Sequence, residues 1–148
     1  MKLFLDTNVL IDLVANRKPW VESMLMIFEL ANQQKVKLIA ADCSFINIVY
    51  ICRKIVFVDD LYKTLIDLQE YVDVAYVGNE ILNQSLRSHW KDFEDCVQSL
   101  VAEREQADFI ITRNVKDFKE AAIPVLSPSD FLDYFFSHNT TKKLLRKD

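Results

Sequence analysis

Three short acidic stretches are spread along the chain: Leu5-Asp6-Thr7-Asn8, Lys91-Asp92-Phe93-Glu94-Asp95 and Thr112-Arg113-Asn114-Val115-Lys116-Asp117. Asp6 interrupts the passage from a strand-like run, Lys2 to Leu5, into a helix-like run, Val9 to Val14. A carboxylate there has two readings. It could cap the helix, as single aspartates often do, or it could be held for a cation, with Thr7 and Asn8 shaping the turn around it. Carboxylates gathered at one place repel unless they are protonated or metal-bound. Hard oxygen donors of this kind suit Mg2+ or Mn2+. Two such ions can activate a water and stabilise the leaving oxygen of a phosphodiester.

In the second stretch Asp92 and Asp95 are three apart and share a helix face, with Glu94 pointing elsewhere. Acidic residues in a first helical turn also simply favour the helix dipole. Asp95 directly precedes Cys96 and Val97, which puts it beside the buried stripe of the helix rather than on a solvated face. In the third stretch the strand "DFIIT" ends at Thr112, and Asn114 and Asp117, at i and i+3, could face one site. Arg113 could contact a phosphate or sit as a surface residue. Asp108 precedes this strand and belongs at its opposite end.

The elements that must position these residues alternate. Lys2–Leu5, Val36–Ala41, Val72–Ala75, Asp108–Thr112 and Pro124–Leu126 read as strands. Helices are expected over 8–16, from Pro19 through Ala31, over 45–56 and 61–71, around 80–88, over 93–103, and from Pro128, capped by Ser127, to about Phe136. This alternation predicts an α/β fold, a three-layer α/β/α sandwich with a central parallel sheet. Working residues of such sheets lie beyond the carboxyl ends of the strands. That rule selects Asp6, the segment from Asp42 to Asn47, and Thr112 to Asp117.

Composition bounds the rest. The 148 residues suffice for one domain, expected over 1–136, followed by a polar, basic tail over 137–148 that reads as a frayed end. No apolar run approaches the roughly 20 residues of a membrane span, and no signal-peptide pattern opens the chain, so no membrane and a cytoplasmic location are expected. Cys43, Cys52 and Cys96 lack CxxC spacing, which suggests packing groups rather than a disulfide framework or zinc site. The net charge of -4 argues against a nonspecific nucleic-acid binder but not against a nuclease, whose bound ions would cancel the acids locally. The single glycine, Gly78, removes any glycine-rich phosphate loop.

With these segments in view the chain resembles the PIN domain (PilT N-terminus) family, the fold of the VapC-like toxin ribonucleases. "FLDTNVLIDLV", "CSFINIVYICRK", "KDFEDCVQSLVAE", "ADFIITRNVKDF" and "IPVLSPSDFL" fall in the family's order and approximate spacing across about residues 1–136. The resemblance implies an endoribonuclease dependent on Mg2+ or Mn2+ held by three or four acids. It matches Asp6 to the first acid, Asp95 (with Glu94 as the weaker candidate) to the acid before the penultimate strand, and Asp117 to the last. The family's second acid is replaced by Asn47, as in a branch carrying "SFxN". Asn offers one neutral carbonyl oxygen where Glu offers a charge, which weakens metal binding. Asn47 could still orient a water, and Asp92 could supply the missing charge.

The resemblance thus implies hydrolysis of RNA, with Asp6, Asp95 and Asp117 as metal ligands, Asn47 as ligand or water-orienting group, and Thr7, Asn8, Asp92, Glu94, Thr112, Arg113 and Asn114 as auxiliary residues. It also implies an antitoxin partner and a homodimer, for which surplus apolar residues on the helices after Phe45 and Leu61 offer support. The alternative is a catalytically weakened PIN module that binds RNA or a protein, motivated by Asn47 and the missing basic patch. A haloacid-dehalogenase-type phosphatase is a third reading of "LDTN", but it needs a second Asp where this chain has Asn8.

Overall fold

The computed structural model describes residues 1–144, with side chains through His138. Five parallel strands, β1 (Lys2–Leu5), β2 (Lys37–Ala41), β3 (Val72–Ala75), β4 (Phe109–Ile111) and β5 (Val125–Leu126), form one sheet in the order β3-β2-β1-β4-β5. Around it lie α1 (Thr7–Val14), α2 (Trp20–Asn32), α3 (Asp42–Cys52), α4 (Val58–Leu68), α5 (Gly78–Arg87), α6 (Phe93–Arg104), a 3-10 turn (Val115–Phe118) and α7 (Pro128–Leu144). The expected three-layer sandwich with a central parallel sheet is the observed one.

Strand periodicity builds the layers. Leu3, Leu5, Leu38 and Ala40 face one core, closed by α1 to α4 and by Phe131, Leu132 and Phe135 of α7. Phe4, Ile39, Ala41 and Ile110 face the other, closed by Ile81, Val97, Val101 and Phe118. A sheet buried on both faces explains why its strands read as apolar runs rather than alternating ones.

Three helices differ from the sequence reading, among them α4, which begins at Val58 rather than Leu61. Helix α3 starts at Asp42, directly at the end of β2, so Ser44 and Asn47 sit in its first two turns. Asp42 closes the junction by accepting from the Cys43 and Val77 amides at 2.7 and 3.3 Å. Helix α7 continues to Leu144 instead of ending near Phe136, because no Gly or Pro follows Pro128 to stop it; residues 145–148 lie outside the described residues. Its start follows expectation, with Ser127 accepting from the Asp130 amide at 3.1 Å and donating to its carboxylate at 2.6 Å.

Arg113 is not a loose surface residue. Its guanidinium lies 2.6 Å from the fully buried Asp12 carboxylate and 4.6 Å from the centre of the Trp20 ring. Arg17 stands 4.0 Å from the same carboxylate. Burial lifts the Asp12 carboxyl above its ordinary range, and the two guanidiniums pull it back. The pair ties the loop after β4 to the first helix. Removing one partner of a buried pair leaves an uncompensated charge, whereas replacing both with apolar groups is often neutral. Arg113→Ala is therefore expected to lose about 3 kcal/mol of stability in urea, and Asp12→Leu/Arg113→Met much less. Equal losses in the two proteins would show that the charge is not what Arg113 compensates.

Candidate functional site

The strand order makes the site. The chain runs from β1 outward to β2 and β3, then returns to the other side of β1 as β4. The reversal leaves a crevice beyond the carboxyl ends of β1 and β4, where ligands of open parallel sheets bind. Because Leu5 pairs with Ile111, the residues that follow, Asp6 and Thr112, arrive side by side. The Asp6 amide donates to the Ile111 carbonyl at 3.0 Å, which extends the ladder to that point.

Asp6 occupies the N-cap position of α1, yet its side chain makes no capping bond. Its carboxylate accepts from the Thr112 hydroxyl at 2.6 Å, and its residue is 2% exposed. The hydroxyl is fully used: it donates to Asp6 and accepts from the Asn8 side-chain amide at 3.1 Å and the Asn114 backbone amide at 3.0 Å. Asn8 in turn accepts from the Arg113 amide at 3.3 Å. Asn8, Thr112, Arg113 and Asn114 thus form one frame behind the Asp6 carboxylate.

A second frame stands on α6. The Thr7 hydroxyl donates to the Glu94 carboxylate at 2.8 Å and lies 2.8 Å from the buried Ser44 hydroxyl. Gln98, fully buried, accepts from the Thr7 amide at 3.1 Å and donates to Glu94 at 3.3 Å. The expectation that Glu94 points away is therefore corrected. The helix sits with Glu94 and Gln98, at i and i+4, turned toward the end of β1. Asp92 is the N-cap of α6 and accepts from the Asp95 amide at 3.1 Å.

Asp95 is where the acids meet. Burial pushes its carboxyl up to about 7, and the charges of Asp6, Asp92, Asp117 and Glu94 each add to the rise. Asp6 is pushed up to about 6, chiefly by burial, with the Thr112 hydroxyl drawing it back. Asp117 lies exposed in the 3-10 turn, and Asn114 just before it is exposed as well. Asn47 is half-buried and lines a groove of about 350 Å³ together with Glu94, Ile46, Leu82 and Phe93. Among the described residues no three acidic, histidine or cysteine side chains stand close enough to clasp an ion by themselves. Convergence of Asp6, Asp95 and Asp117 is thus a matter of shared field rather than a closed cage. Mg2+ keeps several waters and takes one or two carboxylates, the rest coming from substrate phosphates. The donor set therefore fits such an ion.

A sequence profile described as PIN domain matches residues 2–116. The chain belongs to the PIN domain family. Ribonuclease VapC1 of Aquifex aeolicus is 24% identical over 140 residues, covering 89% of this PIN domain's chain and 94% of its own. The Rickettsia felis VapBC2 structure, bound to a promoter DNA fragment, superposes with a TM-score of 0.66 at 15% identity, covering 86% of this chain and 98% of that one. VapBC-1 of nontypeable Haemophilus influenzae gives 0.65 at 20% identity, with 87% and 99% covered. The fold of this PIN domain is that of those chains.

Gln98 escaped the sequence reading, and Ser44 lay in the selected segment from Asp42 to Asn47 without a role of its own. Gln98 carried a usable signal, a polar residue inside the run Cys96-Val97-Gln98-Ser99-Leu100-Val101 and four residues after Glu94.

The raised carboxyls make stability depend on pH. In the fold Asp6 and Asp95 keep their protons to about 6 and about 7, whereas an unfolded chain releases them near 3.8. Between pH 4 and 7 the folded state binds more protons, so stability is greatest at the acid end of this window and falls as pH rises. In EDTA at pH 7.5, Asp6→Asn is expected to raise stability by about 1–2 kcal/mol, roughly 3–6 °C in Tm. The gain should vanish near pH 4. A melting temperature that drops at both pH values would show that Asp6 is not under this strain.

Proposed function

We propose that this PIN domain is a divalent-metal-dependent endoribonuclease acting by phosphodiester hydrolysis, the toxin half of a toxin–antitoxin pair. The observation that carries the reading is Asp6: a carboxylate at the β1/β4 crevice, buried, released from capping, and held in the field of other acids. Similarity to a VapC ribonuclease and to chains from VapBC complexes supports the class of reaction and of partner.

Asp6, Asp95 and Asp117 would hold Mg2+ or Mn2+. Such an ion supplies charge neutralisation at the phosphate and acidifies a water. The protein's part is orientation. Thr112 fixes the Asp6 carboxylate, and Asn8 and Asn114 fix Thr112. Thr7, Ser44 and Gln98 hold Glu94 at the groove it shares with Asn47. In that place Glu94 restores the charge that Asn47 lacks, and Asn47 remains free to orient a water. The weakened-module reading rests on Asn47 and on the missing basic patch, and no relative reported above supports it. Ile46, Tyr50, Phe57, Tyr62 and Ile66, all well exposed on α3, α4 and the turn between them, offer apolar area for an antitoxin or a second copy.

Two measurements test the proposal. Cleavage of structured RNA in Mn2+ is expected to fall at least a hundredfold in Asp6→Asn, and equal cleavage by both proteins would reject the assignment. Thr112→Val deletes the hydroxyl that orients Asp6 without touching a ligand. It is expected to weaken Mn2+ binding by about 10–100-fold in calorimetry, the usual effect of losing an orienting partner. Unchanged Mn2+ affinity would remove Asp6 from the metal site.

A further inference from the structure

Beside the acid cluster a second cavity opens, about 410 Å³ in volume, between the loop that leads into α6 and the 3-10 turn after β4. Trp90, Lys91 and Asp92 line it from one side, Lys116, Asp117, Lys119 and Glu120 from the other. It is continuous with the candidate site, because Asp117 belongs to both and its charge reaches Asp95. We propose, resting on the ribonuclease reading above, that this cavity binds a single-stranded RNA nucleotide flanking the scissile phosphate.

Three features fit that occupant. Lys91, Lys116 and Lys119 are exposed, and none is in an ion pair among the described residues. Three acids share the lining: Asp92 is engaged in capping α6, the charge of Asp117 acts on Asp95, and Glu120 is exposed. A chain of net charge -4 with an acidic centre repels a polyanion, so phosphates next to the centre require a local cation source. These lysines are placed to be one, and each neutralised phosphate contributes to affinity by releasing counterions. Trp90 is half-buried and braced edge to face on Phe118, with centroids 6.4 Å apart and planes at 82°. An indole held in that way gives a base a preformed stacking platform, independent of base identity. The volume falls within the span of small-ligand sites, about 300–1,000 Å³.

The test is binding without cleavage. A fluorescent single-stranded RNA 12-mer is titrated in EDTA, by anisotropy, at several salt concentrations. Lys91→Ala/Lys116→Ala/Lys119→Ala is expected to bind at least tenfold more weakly and to lower the slope of log affinity against log salt by about 2, near 0.7 for each lost contact. Trp90→Ala should weaken binding about tenfold at unchanged slope, and Trp90→Phe should restore most of it. A control, Lys54→Ala/Lys63→Ala, should behave as wild type. If wild type cleaves RNA while the triple variant binds and cleaves as well as it does, the cavity assignment fails and the nuclease reading stands. If wild type neither binds nor cleaves, both fall. Loss of binding equal to that of the control pair, or displacement of the RNA by polyglutamate as readily as by unlabelled RNA, would overturn the cavity assignment as well.

Discussion

The hydrogen bond from Thr112 to Asp6 joins two residues 106 positions apart, and the site is arranged around it. It exists because β4 lies beside β1 in parallel register, so the first residue after each strand meets the other at the sheet's carboxyl edge. The hydroxyl has one proton and two lone pairs, and all three are engaged. Asp6 is thereby held as an acceptor, oriented but not neutralised. A cap would have consumed the same carboxylate in local structure. Here the side chain makes no capping bond and accepts from Thr112 instead, which leaves the charge free to act beyond the helix.

That arrangement sets function against stability. Desolvation and the neighbouring acids raise the carboxyls of both Asp6 and Asp95, so the fold carries a penalty for keeping them ionised. Elsewhere the interior is built in the ordinary way, with two apolar cores on the two faces of the sheet. Penalties of this kind concentrate where titratable groups are used, although structural ion pairs can produce them too. Asp12 is the contrasting case on this chain. It is more deeply buried than Asp95, but Arg113 and Arg17 answer its charge, and it serves the packing of α1 against the loop after β4. Among the described residues no ion pair answers Asp6 or Asp95, and this difference separates the candidate site from the scaffold.

Much was legible in the residues themselves. The apolar runs fixed the strands within a residue or two, the alternation with helices implied a parallel sheet, and the carboxyl-end rule then selected Asp6, Thr112 and Asp117. These inferences rest on period and on chain direction, which are local properties. The order and spacing of the acidic and strand motifs along the chain already resemble the PIN family. What could not be read was the rotation of each helix about its own axis. Phe93–Arg104 is mildly amphipathic, and its sequence does not say whether Glu94 or Asp95 faces the crevice. The answer, that Glu94 meets Thr7 while Asp95 sits among the other acids, depends on how α6 docks on the sheet.

The amino-acid sequence alone determined a covered parallel sheet and the strand ends at which acids would appear. Tertiary structure alone decided that Asp6 forgoes capping, that Arg113 turns inward to Asp12, and that Ser44 and Gln98 brace the site. The reason is physical. A hydrogen bond or ion pair between residues 37 to 106 positions apart follows from strand register and helix docking, and neither leaves a periodic mark in the chain.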